Sequence, residues 1–506
     1  MNRLFTLLSI ALASTVFAER PAGIEGLLGF TNGDQLHGKY LGFSENKRLR
    51  WLRDDLATAP EFELANVRRI ILRNGRPEAA LTTLSHAATT HGDRIPGRIV
   101  SLDDEQVVLE TEFAGNLTVP RDRLGMLVPN PFGGSILYQG PFSKDEWEIV
   151  EPRGRETAEA SGDEEGGEDN NAMAKGWTHS GAAWYWPGDG QISALVRKDG
   201  VPESTVIRCQ VSWKSRIALA IAFHSDFKAP PEGEDDEPPA GHRRIHASDN
   251  SIYATLFGNS YVLQLNPTHA ILFRSSMDDE GKTKVERLTN SFNNVSLGDS
   301  GSALIEIRAS RPTGEISLFI NDEFVAQWSE IGHFDDAGDQ THEYVGVGGG
   351  LSFFMQTTNC SARISDVIVA EWNGMPDAAR SLQSDAHDIV LLTNGTDRFS
   401  GEITGISDGR VSLRGRYGDF MFPLDDVAEI QFSRSSLSKP EPANANEVRL
   451  QVYPLGIITG VPVAGDAEFL RLDHMACGPI DVDLSSVVIM EVARGESFLG
   501  AWDPEF

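Results

Sequence analysis

Glu402-Ile403-Thr404-Gly405-Ile406, Ser407-Asp408-Gly409, Arg410-Val411-Ser412-Leu413-Arg414: two alternating runs meet at an Asp-Gly turn. Side chains on a strand point to opposite faces in turn, so apolar residues at every second position mark a half-buried strand. Asp-Gly accepts the positive φ of a tight hairpin. A second such hairpin joins Arg98–Leu102 to Gln106–Glu110 across Asp103-Asp104-Glu105. Both hairpins belong to a pattern that occurs four times. Each copy has a Gly (Gly38, Gly97, Gly401, Gly460), a pair of apolar residues near its middle (Leu49 and Trp51, Val107 and Leu109, Val411 and Leu413, Leu470 and Leu472), and a closing residue (Val67, Leu124, Val427, Val487). Three residues after the closing residue stands another apolar one: Ile70, Leu127, Ile430 or Met490. The closing segment reads as a last strand or as a 3₁₀ turn entering one.

The copies predict small twisted barrels of four or five strands over residues 24–75, 80–129, 387–433 and 447–494. In pattern and size they are similar to the SH3-like or Sm-like class. Modules of about 50 residues bury a marginal core alone, so packing in pairs is expected, in keeping with their tandem order. The Asn-Gly-Asp stretches have the composition of turns, and no reactive group recurs with them.

Between the two pairs lies a different segment, residues 176–374. Its alternating runs include Val206–Val211, Ile217–Phe223, Tyr261–Leu265, Ala303–Ile307, Glu315–Ile320 and Phe324–Trp328. Many strands at short spacing without a long helical pattern predict a β-sandwich. The whole chain is therefore expected to be all-β, a central jelly-roll sandwich flanked by small barrels, two before and two after. "ISLFINDEFVAQW" (316–328), "VGVGGGLSFF" (345–354) and "ARISDVIVAEW" (362–372) resemble the end of a concanavalin A-like lectin/glucanase sandwich of the laminin-G-like type. Glu323 stands where the family's hairpin usually has Gly. The resemblance implies a jelly roll and, often, carbohydrate or protein binding. A related group, the 3-keto-disaccharide hydrolase-like domains, implies an enzymatic alternative.

The amino terminus has a basic residue, an apolar run and small residues at Val16-Phe17-Ala18, the pattern of a secretory signal peptide over 1–18. The apolar run is too short to span a bilayer, so no membrane insertion is expected and the mature chain should act in the periplasm, at the cell surface or outside. The net charge of −30 argues against nucleic acid, which calls for clustered Lys and Arg. Residues 143–175, rich in Gly and Glu, are expected to be an acidic disordered linker, and 434–446 a second linker.

Three Cys cannot all pair. Cys209 and Cys360 are candidates for a disulfide, with Cys477 left over. Gly298-Asp299-Ser300-Gly301-Ser302 looks like the loop of a serine nucleophile but has no His in a fitting context, and a polar turn explains it. No strand carries paired carboxylates at glycosidase spacing, so no catalytic residue is assigned. Glu306, alone between Ile305 and Ile307, reads as a solvent-facing residue. Trp184 and Trp186 share one strand face and could stack on sugar rings, with Arg274 as a further ligand contact. Asp335, Asp336 and Asp339 in one loop could hold Ca²⁺; no other cofactor is expected. Sequence alone thus predicts non-catalytic binding of a glycan or protein. A carbohydrate-processing enzyme on the same sandwich is the alternative.

Overall fold

The computed structural model describes residues 23–56, 58–132, 134–152, 176–188, 192–228, 252–278, 281–288, 293–321, 323–330, 344–372, 384–394, 397–439 and 446–492. The apolar leader 1–18, most of the acidic stretch and the Asp335–Asp339 loop lie outside them.

Each repeat is a meander whose first strand pairs with both the second and the last. In repeat 1, Ile24–Phe30 pairs with Gln35–Phe43 and with Val67–Leu72. Repeats 3 and 4 do the same through Asp388–Leu392 and Val448–Val452. Every closing segment is a 3₁₀ turn entering the last strand: Leu64–Asn66, Arg121–Arg123, Leu424–Asp426 and Leu484–Ser486. The Asp408-Gly409 turn is a two-residue hairpin loop, with Ser407 opposite Arg410 and both loop residues at positive φ (50° and 68°). That is the turn whose twist matches a right-handed hairpin.

The repeats do not pair with their tandem neighbours. Repeat 1 docks on repeat 4 and repeat 2 on repeat 3, in each case through antiparallel last strands. Ile70 lies opposite Met490, and Leu127 opposite Ile430. Both docks therefore use the apolar residue three positions past the closing residue, and both are two-fold in register. A third contact joins the pairs, with Ile457 of repeat 4 opposite Arg94 of repeat 2. The result is one 21-stranded assembly in the order repeat 1, 4, 2, 3, with a continuous apolar core that includes Leu28, Trp51, Val107, Leu127, Val411, Ile430, Leu472 and Met490. Tandem order does not decide pairing because every repeat has the same free edge, its last strand. A partner from the other end of the chain covers it as well as a neighbour could.

The central segment forms two antiparallel sheets of eight strands each. The first runs Thr178–Ser180, Ala183–Trp186, Ser361–Glu371, Ser204–Lys214, Gly301–Ser310, Glu315–Ile320, Glu323–Ser329, with Ile136–Gly140 sharing the edge of Ser361–Glu371. The second runs Glu148–Val150, Ala194–Arg197, Gly350–Met355, Leu219–Ser225, Ser260–Leu265, His269–Met277, Thr283–Arg287, with Asn293–Asn294 added to His269–Met277. Ile207, Val211, Ile305, Ile364, Ile221, Leu263, Leu272 and Phe353 fill the space between them.

Two expectations change here. The sandwich begins at Ile136, and Glu148–Val150 is paired in its second sheet, so the expected 143–175 linker starts inside the domain. Ile136, Tyr138 and Val150 carry alternating apolar side chains that a sheet edge can bury, which the charge of the following residues obscures. Within 434–446, Arg434–Ser436 is a 3₁₀ turn.

Both outward faces of the sandwich are occupied. Ala220, Ala222, Val262, Phe273 and Phe354 on the second sheet are covered by Tyr253, Leu256 and Phe257 of the helix Ile252–Phe257. On the first sheet Val206, Ile368 and Ala370 pack with Phe132, Trp372 and Leu455 of repeat 4. Asp366 of the sandwich accepts from Gln451 of repeat 4 (3.0 Å), and the Phe142 and Tyr453 rings meet edge to face at 5.1 Å.

Candidate functional site

Arg274 is the one charged residue in an otherwise apolar inward row, Ala270-Leu272-Arg274. The strand register puts Tyr261 on one side of it and Glu286 on the other. Residues opposite each other in a sheet share a face, and Tyr261 and Leu272 belong to the inter-sheet core, so the row faces inward near the sandwich edge. Glu330 reaches it from just beyond the edge strand Glu323–Ser329 of the other sheet. Arg274 donates from Nη2 to Glu286 (2.6 Å) and from Nη1 to Glu330 (3.4 Å). Lys284 holds the other Glu286 oxygen at 2.8 Å. Glu330 is 3% exposed and interacts with the Tyr261 hydroxyl as well as with Arg274.

Behind this row lies a second layer. The Tyr261 hydroxyl accepts the Val345 N–H (3.2 Å). Its ring meets Tyr344 at 4.5 Å. The Tyr344 hydroxyl is 2.7 Å from His224 Nδ1, and His224 Nε2 is 2.8 Å from the Pro202 carbonyl. A carbonyl only accepts, so Nε2 carries the proton and Nδ1 accepts from Tyr344. His224 sits at a register shift between Phe223 and Ser225 with φ of 50°. The bulge aims its ring at Tyr344.

Burial pushes His224 down to about 3, so the ring is neutral. Burial raises the Tyr261 hydroxyl, and the Glu330 charge raises it further. Burial likewise keeps Tyr344 protonated. For Arg274 burial opposes the charge, but the Glu286 hydrogen bond and the Glu330 charge outweigh it and hold the guanidinium above its usual range. The Lys284 and Arg274 hydrogen bonds draw Glu286 below the ordinary carboxylate value. The cluster thus has a fixed cation held between two carboxylates, backed by protonated tyrosines and a neutral imidazole. It can orient hydroxyl or N–H donors.

Of the residues expected from sequence, Arg274 is in this cluster. Trp184 and Trp186 are not: they share one face as expected, but that face is the core. They are 4% and 0% exposed, with Trp186 5.6 Å from Trp177 and Trp184 5.1 Å from His179. The sugar-stacking expectation is corrected accordingly, since four consecutive buried residues leave no free ring. Cys209 and Cys360 are both free. Ser361 pairs with Lys214 at the far end of the strand that carries Cys209. Five strand residues at about 3.3 Å each separate the two thiols by more than twice the reach of a disulfide. Burial raises Cys209 to about 12 and Cys360 to about 11, so both are inert thiols. Asp335, Asp336 and Asp339 lie outside the described residues. Among those residues no group of three or more His, Cys, Asp or Glu side chains is placed to hold a metal.

Glu306 also departs from expectation. It is 4% exposed and lies between Arg208 (2.9 Å) and Arg308 (2.7 Å), with Arg308 over the Phe319 ring at 4.9 Å. One cross-strand charge, Arg208, and one two residues along the same strand, Arg308, supply the partners that a buried carboxylate requires. Ser300, of the nucleophile-like loop, accepts the Ser215 N–H (3.3 Å) and holds a turn. Sequence reading missed Glu330, His224 and Tyr344. The available signal was Arg274 itself, because a charge in an inward row demands a buried counter-charge.

No family model and no curated protein matches the chain. Among solved structures it is similar to a Bacillus subtilis protein of unknown function with a galectin-like fold (15% identity, 47% of this chain and 96% of that one, TM-score 0.26). It is also similar to a carbohydrate binding module from Bacillus subtilis (10% identity, 39% and 88%, TM-score 0.20) and to a sialidase (9% identity, 70% and 33%, TM-score 0.25). At these identities and scores none of them assigns a ligand or a reaction to this chain.

Proposed function

We propose that the protein is an exported, non-catalytic binding scaffold. In this reading the repeats are small barrels of the SH3-like kind that hold the sandwich, and the sandwich takes a glycan at the Arg274 end. The observation that carries it is the Arg274–Glu330 pair. It sets a fixed guanidinium and a carboxylate together at the sandwich edge, the kind of polar groups that orient sugar hydroxyls, beside tyrosines and a histidine with no proton to exchange near neutrality. The covered outward faces of the sandwich leave its edge as the place for a ligand. No helix among the described residues is long and apolar enough to cross a membrane.

The test is a glycan array on the intact protein, with and without Ca²⁺, beside Arg274→Lys and Glu330→Gln. Binding should appear for one glycan class and fall at least tenfold in both variants. An array without signal sinks the glycan reading and leaves a protein ligand. A second reading rests on Glu286 and Glu330 converging on one cation. Two carboxylates in one site suit carbohydrate processing, and released reducing ends or keto-sugars from a bound glycan would favour it over simple binding.

A further inference from the structure

The four repeats are alike in sequence but not in what covers them. The open end of each repeat is formed by three positions: two residues before the shared Gly, and five and seven before the closing residue. In repeat 2 these are Ile95, Val119 and Leu117, and in repeat 4 Ile458, Val482 and Ile480, none more than 5% exposed. In repeat 3 the same positions are Phe399, Phe422 and Phe420, and in repeat 1 Leu36, Phe62 and Pro60, all only partly buried. The three phenylalanines of repeat 3 lie within 4.7–6.1 Å of one another. Phe62 of repeat 1 meets Phe30 at 5.1 Å.

Repeats 2 and 4 bury these ends because they meet there. Ile457 lies opposite Arg94, and both are three residues before the shared Gly. Around that centre the Asp483 N–H donates to the Phe113 carbonyl (2.8 Å), and a Cβ on Gly456 would meet Pro96 at 2.9 Å. His474 and Asp93 form a fully buried pair at 3.1 Å. Burial opposes the charge on His474, but Asp93 and Cys477 outweigh it and raise the imidazole to about 10, so the contact is a buried ion pair across the junction. The chain thus contains a worked example of how one open end mates with another.

We infer that the uncovered ends of repeats 3 and 1 are the two halves of the same contact made between molecules, repeat 3 of one copy docking on repeat 1 of a second copy. The occupant is a second copy because the complementary surface is written in the repeat pattern itself. Repeat 3 on repeat 3 would set Arg398 against itself, since Arg398 holds the position of Arg94. Repeat 1 offers the neutral Gln35 there instead. The contact joins unlike surfaces, so it builds a head-to-tail ring or filament.

Sedimentation velocity over a concentration series tests this on the intact protein. Wild type should show mass rising with concentration. Leu36→Asp blocks one half and Phe399→Asp the other, so each alone should sediment as a monomer, and an equal mixture should stop at a dimer. Gln35→Arg, at a surface position that leaves the core untouched, should weaken association at least tenfold with an unchanged circular dichroism spectrum. Wild type that stays monomeric at its solubility limit overturns the inference. So does association that survives Gln35→Arg, or an equal mixture of the two blocked variants that fails to pair while both are folded.

Discussion

His224 has no place for a second proton. One nitrogen donates to Pro202 and the other accepts from Tyr344; protonation would set two donors face to face in a dry site. The folded value of about 3 lies below the usual value near 6.5. Between these two the unfolded chain binds the extra proton, so this contribution to stability is complete above about pH 6.5 and is lost as pH falls toward 3. The expected slope is up to about 1.4 kcal/mol per pH unit in that window. Urea unfolding of wild type and His224→Gln at pH 7 and pH 4.5 checks it: the variant should be less stable at pH 7, and the gap should narrow at pH 4.5. At this scale the sequence was partly readable. Arg274 could be singled out from its row, but Trp184 and Trp186 could not be placed, because alternation says which residues share a face and not which face is inside. Glu330 stands just past the end of a strand and Tyr344 six residues before the next one, where no periodicity applies.

At the scale of elements, the two docks are built alike down to single hydrogen bonds. Arg73 and Asn130 stand six residues past their closing residues. Arg73 donates to the Leu484 carbonyl (2.9 Å) and reaches that of Val487 (3.5 Å). Asn130 donates to the carbonyls of Val427 (2.9 Å), Asp425 (3.1 Å) and Leu424 (3.4 Å). Each caps the 3₁₀ turn of its partner repeat. Removing either should leave part-buried carbonyls without their side-chain donor, at a cost of about 1 kcal/mol for each variant. Because the docks are separate, Arg73→Ala and Asn130→Ala should add in the double variant, as read from denaturant midpoints. Hairpins and closing turns were legible, since Asp408-Gly409 and the spacing from Leu424 to Val427 have local causes. The choice of partner was not. Four last strands with an apolar residue at the same position are equally good edges, and sequence alone does not rank them.

For the whole molecule, the fold class was readable from alternation and turn spacing, but the boundary of the sandwich was hidden by the charge that follows Ile136–Val150. The interleaving of the two ends makes a specific prediction. Ending the chain at residue 446 removes repeat 4. Hydrogen exchange at Val67–Leu72 should then rise to that of a free edge strand, while Leu124–Val128, still paired with repeat 3, stays protected. Equal protection at both strands would mean that repeat 1 holds its edge without repeat 4. The same interleaving governs how the chain comes into being. Arg73 is 411 residues from its acceptor Leu484, so at the usual 5–20 residues per second a ribosome delivers the partner roughly 20–80 s later. Until repeats 3 and 4 emerge in turn, the newborn amino-terminal half carries two naked strand edges, Leu124–Val128 and Val67–Leu72, a state prone to mispairing with other nascent chains. The acidic stretch that follows them, Gly162-Asp163-Glu164-Glu165-Gly166-Gly167-Glu168-Asp169, is made before either partner repeat and adds like charge that holds half-made chains apart.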